Sequence, residues 1–178
     1  MAKKGKKAKK NEKKGKKAKK GKKAKKVRAV PKGYHNVTPN LNLADASAFI
    51  EFTKAAFGGK LRGSMAGPDG KLVHAEIALG DSVIMCTDAV REPARPGALF
   101  LYTENVDKAF ESALKAGAKA LMPPQDMFWG DRFARVEDPQ GNYWGLATHV
   151  EDVSPKEMKK RSEAFAAQMA AGGGDGGM

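Results

Sequence analysis

One succession of elements occurs twice in this chain, about 60 residues apart. Residues 35–43, HNVTPNLNL, alternate: Asn36, Thr38, Asn40 and Asn42 fall on one face, Val37, Leu41 and Leu43 on the other. That is the period of a half-buried strand. Asp45 stands at the N-cap of a helix over 46–57, with Phe49, Phe52, Ala56 and Phe57 on one side and Gly58-Gly59 as its stop. Strands follow near 60–66, 71–79 and 82–87, the second entered through the PDG turn at 68–70. The later copy predicts a strand over 98–104 and a helix over 106–116, capped by Asn105 and ended by Gly117. Strands near 118–122, 132–137 and 142–149 complete it, the last two joined by the turn DPQG at 138–141. An internal duplication is the simplest account. The fold class is therefore α+β, with two βαβββ modules at about 34–90 and 97–150.

Charge divides the chain differently. Residues 1–26 repeat the hexamer GKKAKK three times and hold 16 lysines against one glutamate. The other residues carry 17 basic and 19 acidic side chains, so the net +13 comes from that segment alone. With no apolar face to bury and strong self-repulsion, residues 1–26 are expected to be disordered. They are also expected to bind nucleic acid without sequence preference, by neutralising phosphates; no aromatics interrupt the lysines to stack on bases. A linker at 27–33 carries Pro31. After the second module, SPKE at 154–157 has capping-box spacing and opens a helix over 154–171, followed by a glycine-rich end at 172–178. Cys86 is the only cysteine, so no intrachain disulfide forms. No secretory or membrane-spanning apolar run stands out, and a cytoplasmic protein is expected.

The segments VTPNLNLADASAFIEF, PDGKLVHAEIALGDSVIM and MPPQDMFWGDRFARVEDPQGNYWGLATH resemble the PhnB-like branch of the vicinal oxygen chelate superfamily, which includes glyoxalase, bleomycin-resistance proteins and extradiol dioxygenases. The resemblance covers about residues 34–160. It implies a curled mixed sheet, helices outside and a concave cavity inside. It also implies a homodimer that pairs modules across two chains. Enzymes of this kind hold a divalent metal on the concave face. The corresponding positions here are Thr38, Ala98, Gly145 and, in the first module, Ile84 or Met85. Thr, Ala and Gly do not supply the deprotonated donors a metal needs, so no cofactor is expected. A divalent metal held by His74 and Glu76 is the alternative.

Alternation assigns the candidate site. If Thr38 and Gly145 face the cavity, so do Asn36, Asn40, Asn42, Tyr143 and His149, while His35 falls on the opposite face. His74 and Glu76 share one face of their strand, and Phe100 and Tyr102 belong to the strand at 98–104. The stretch FWGDRF at 128–133 joins two strands at the cavity mouth. In it Phe128 and Trp129 form an apolar wall, and Asp131 and Arg132 either orient a polar ligand or pair with each other. Phe133 and Trp144 are assigned to the core. The ligand-binding set is thus Thr38, Asn40, His74, Glu76, Phe100, Tyr102, Trp129, Asp131, Arg132, Tyr143 and His149. Two functions fit it. One is metal-independent binding of a small planar or amphipathic molecule in a mostly apolar pocket. The other is a lyase, isomerase or dioxygenase with His74 and Glu76 as catalytic candidates.

Overall fold

The computed structural model describes residues 1, 2 and 27–171. The expectations for the lysine-rich segment and for the glycine-rich end fall on residues outside that set. The elements run β1 (Asn40–Leu43), α1 (Ala46–Phe57), β2 (Lys60–Ala66), β3 (Leu72–Leu79) and β4 (Ser82–Asp88), then β5 (Ala98–Tyr102), α2 (Val106–Lys115), β6 (Lys119–Asp126), β7 (Asp131–Glu137) and β8 (Tyr143–His149), and last α3 (Pro155–Ala171). Two four-stranded mixed sheets result, ordered β1-β4-β3-β2 and β5-β8-β7-β6. In each, the first strand pairs in parallel with the last strand of its module, and the other neighbours are antiparallel. The duplicated order in the sequence is therefore a duplicated α+β topology, and neither sheet closes on itself.

The helix starts follow from their caps. Asp45 accepts from the Ala48 amide at 2.8 Å, and Asn105 accepts from the Lys108 amide at 2.9 Å. Each satisfies an amide that has no partner in the first helical turn.

Some strand boundaries differ from expectation. The first strand begins at Asn40, not residue 35. Upstream the Thr38 hydroxyl donates to the His35 carbonyl, which turns the chain locally, and Pro39 has no amide to give a ladder. The strand expected near 118–122 continues to Asp126 through Pro123 and Pro124. It is an edge strand with register shifts against β7, where proline is tolerated.

Both helices cover one continuous core. On α1, Phe49, Ile50 and Phe52 are buried against Ala75, Ile77 and Cys86; on α2, Val106, Phe110 and Ala113 are buried with Ala134, Val136 and Leu146. Burial, and Asp88 nearby, push the Cys86 thiol up to about 11, so it is a core side chain and not a nucleophile. Trp144 joins the two modules. It leaves β8 and packs on α1, its ring 4.8 Å from Phe57 and stacked on Phe49 at 6.1 Å. Its indole donates to Asp138 at 3.0 Å. Asp138 also accepts from the amides of Gln140 and Asn142 and from the Asn142 side chain. Asn142 in turn accepts from the Gly97 amide at 2.8 Å. The DPQGN stretch is thus a buried polar hub holding the turn, the entry to β5 and the central tryptophan together.

Candidate functional site

With the helices and core on one side, the other face of each sheet lies open, and the register assigns its residues. On the first sheet Asn40 stands opposite Met85, Met85 opposite Glu76, and His74 opposite Met65. Glu76 is the centre of this face. Its carboxylate accepts from the Tyr34 hydroxyl, meets His74 Nε2 at 3.2 Å and lies 3.9 Å from Arg62 Nε. The Arg62 guanidinium sits 4.8 Å over the Tyr34 ring. The Tyr34 hydroxyl bond, with His74 and Arg62 adding to it against a burial cost, holds the Glu76 carboxyl below the usual range. Donating to Glu76 raises the Tyr34 hydroxyl. Glu76 is therefore an ionised acceptor already occupied on both oxygens, which suits anchoring better than taking a proton. Sequence reading missed Tyr34 and Arg62. Both reach Glu76 from outside its own strand, and only the packed sheet brings them there.

The second sheet carries an aromatic floor. Phe100 and Phe133 stack with ring centres 5.6 Å apart and planes 12° apart. Tyr102 lies 5.1 Å from Phe100, and Trp129 lies 6.0 Å from Phe133. Phe128 continues the row, edge-on to Trp129 at 5.1 Å and 5.0 Å from Phe165 of α3. Phe100, Tyr102 and Tyr143 are exposed on this face. Phe133 is thus floor and not core. It alternates with the fully buried Ala134, which takes the helix side.

Behind the rim lies Asp131, only 4% exposed. One oxygen accepts from Trp129 Nε1 at 3.0 Å and from the Tyr102 hydroxyl at 3.1 Å. The other meets His149 Nδ1 at 2.8 Å, and His149 Nε2 meets Asp152 at 3.0 Å. Hydrogen bonds to Asp131 and then Asp152 raise the imidazole above its usual value against a desolvation cost. With both ring nitrogens beside carboxylates, the site favours the charged, doubly donating form of His149. Burial first, then the bond to Asp131, raises the Tyr102 hydroxyl. The turn that carries this rim needs a glycine. Gly130 has φ of +97°, and a Cβ there would lie 2.2 Å from the Glu151 carbonyl oxygen.

Two expected members take other positions. Arg132 and Asp131 do not pair with each other. Arg132 projects to the helix side, where it holds Asp107 of α2 through two bonds of 2.8 Å and Asp126 at 3.0 Å. Alternation along β7 forces this, since Asp131 takes the open face. Thr38 lies outside β1, its hydroxyl spent on His35. A cavity of about 410 Å³ opens where the modules meet, and Val37, Pro39, Val83, Leu99, Phe100 and Tyr102 are among its lining. A second hollow of about 690 Å³ lies on the first sheet beside Met65, Val73 and Thr87. Phe100 and Tyr102 thus border both the cavity and the aromatic floor.

Comparison with known proteins decides the family. The sequence model of the Glyoxalase/Bleomycin resistance protein/Dioxygenase superfamily matches residues 35–146. The chain belongs to that superfamily. A protein of Mycobacterium bovis, described as uncharacterised, is 33% identical over 135 residues, which is 69% of this chain and 89% of that relative. Among solved structures, a PhnB protein of Bacillus cereus superposes with a TM-score of 0.51 at 22% identity, over 64% of this chain and 99% of its own. TnmS3, an antibiotic binding protein from Streptomyces sp. CB03234, does so with a TM-score of 0.54 at 23% identity, over 69% and 99%.

The metal centre of the superfamily's enzymes does not fit the residues present. Among the described residues no group of three or more His, Cys, Asp or Glu side chains could hold a metal. His74 and Glu76 lie on one sheet, His149 and Asp131 on the other. Of the corresponding positions, Ala98 and Gly145 have no donor atoms and Ile84 is buried in the core. Gly145 adds a steric reason. A Cβ on it would meet Phe100 at 2.8 Å and Phe133 at 3.1 Å. The stacked rings occupy the space that a ligand side chain would need.

Proposed function

We propose that this chain is a small-molecule-binding member of the superfamily that takes a flat, largely apolar ligand on the aromatic floor of its second module, without a metal. The observation that carries this is Gly145: its missing side chain makes room for the Phe100–Phe133 stack where a metal-binding relative would need a ligand. Offset stacking on such rings gives a planar ligand a defined orientation. Trp129, at the rim, reports its arrival. The antibiotic binding of TnmS3 is consistent with such a use of the fold.

The test compares the wild-type chain with Gly145→Glu. Planar aromatic probes are expected to quench Trp129 fluorescence saturably in the wild type, and metal analysis after dialysis against Zn²⁺, Mn²⁺ or Ni²⁺ to find no stoichiometric ion. In Gly145→Glu the rings are displaced, probe binding is lost, and stability falls by roughly 1–3 kcal/mol through overpacking. Stoichiometric metal in the wild type, abolished by His74→Ala or Glu76→Ala, would overturn this reading in favour of the enzyme.

We propose also that two chains pair so that the open face of one module is covered by its counterpart. Phe100, Tyr102 and Tyr143 of the second sheet and Met65 of the first are all exposed, and apolar surface of this kind marks interfaces or ligand grooves. Light scattering is expected to give the mass of a dimer; a monomer at high protein concentration would count against the pairing.

A further inference from the structure

The open face of the second sheet carries a charge, Arg135, that has no partner among the described residues. Along β7 the side chains alternate, so Asp131, Phe133, Arg135 and Glu137 share the open face while Ala134 and Val136 are fully buried on the other. Arg135 stands directly opposite Gly145 on one side and Met122 on the other. It is therefore adjacent to the Phe100–Phe133 stack, with a residue lacking any side chain beside it. The other charges on its strand are spoken for. Asp131 is bound by Tyr102, Trp129 and His149, and Glu137 by Lys119 at 3.2 Å. Among the described residues Arg135 forms no ion pair and no side-chain hydrogen bond, although it is partly buried. Both other arginines of the second module and its helix that lie partly buried, Arg132 and Arg161, hold carboxylates in two-bond contacts.

We infer that Arg135 is the anion-recognising residue of this site, and that its ligand class is a planar aromatic molecule carrying a carboxylate or comparable anionic group. The inference rests on the aromatic-floor reading above and adds the charge of the ligand to it. The rings fix the plane of the aromatic part. The guanidinium, with five donors in a rigid fork, takes the anion at the edge of that plane, two bonds in parallel. Next to an apolar floor, such a bond is worth more than at an open surface.

The test is isothermal calorimetry with 2-naphthoate and with its neutral counterpart 2-naphthylmethanol, using the full chain. The wild type is expected to bind the acid about tenfold to a hundredfold more tightly. Arg135→Gln is expected to remove that preference, bringing the affinities for the two probes within about twofold of each other. Arg135→Lys, which keeps the charge but not the fork, retains part of it. Equal binding of the two probes by the wild type overturns the role of Arg135 and leaves the aromatic floor standing. A preference for the acid that survives Arg135→Gln, in protein with an unchanged melting curve, overturns it as well. Binding of neither probe sinks the floor and the anion site together.

Discussion

Trp144→Ala is expected to lower the free energy of unfolding by about 3–5 kcal/mol, the cost of emptying the space of a large aromatic in a packed core. The residue is 1% exposed and is the largest fully buried side chain. It belongs to β8 yet packs on Phe49, Phe52 and Phe57 of α1, so it ties the second sheet to the first helix. Its loss leaves a cavity between modules that neither can fill without moving the other. It also removes one donor from Asp138, a carboxylate 3% exposed at the centre of the DPQGN turn. Trp144→Phe keeps most of the volume and is expected to recover more than half of the loss. Urea denaturation of the three proteins measures this, with the midpoint and slope followed together. A change under about 1 kcal/mol for Trp144→Ala would show that the modules do not share one core.

Asp131→Ala is expected to cost about 1–3 kcal/mol and to disable the aromatic rim. One buried carboxylate serves the Trp129 indole, the Tyr102 hydroxyl and the His149 ring. Without it three donors lose their acceptor and the two aromatics lose the anchor that sets their planes. Ligand affinity is expected to fall more than stability does. The effect depends on pH. The folded protein raises the His149 pKa above its ordinary value, chiefly through Asp131 and then Asp152. A group raised on folding stabilises fully below its unfolded pKa, near 6.5 for imidazole, and loses that contribution as pH rises through the raised value. The difference in melting temperature between wild type and Asp131→Ala is therefore largest near about pH 6 and shrinks as pH rises through the raised value. A difference that grows with rising pH would contradict the assignment of His149 as a cation between two carboxylates.

Much of this architecture was legible before any coordinates. Period-two alternation placed Val73, Ala75, Ile77 and Leu79 on one face and His74 and Glu76 on the other; the structure buries Ala75, Ile77 and Leu79 and leaves Val73 exposed near the start of the strand. Asp45 and Asn105 marked both helix starts because a capping side chain acts within four residues of itself. Trp144 was assigned to the core by its alternation with Gly145. Phe133 went wrong for a related reason: its apolar character suits a core equally well, and only the position of Ala134 beside α2 turns it to the open face. Arg132 went wrong because its partner, Asp107, lies 25 residues away on a helix whose placement over β7 no local pattern states.

The sequence by itself determined what short-range physics determines: the caps, the turn at DPQGN, the faces of β3 and the repeated module. The tertiary structure decided which charges are spent and which are left. Glu76 is saturated by Tyr34, Asp131 by three donors and Arg132 by α2, while Arg135 keeps no partner among the described residues. Those assignments depend on side chains from separate elements meeting within about 3 Å, the reach of a hydrogen bond. Only packing the helices on one side of each sheet sets those distances.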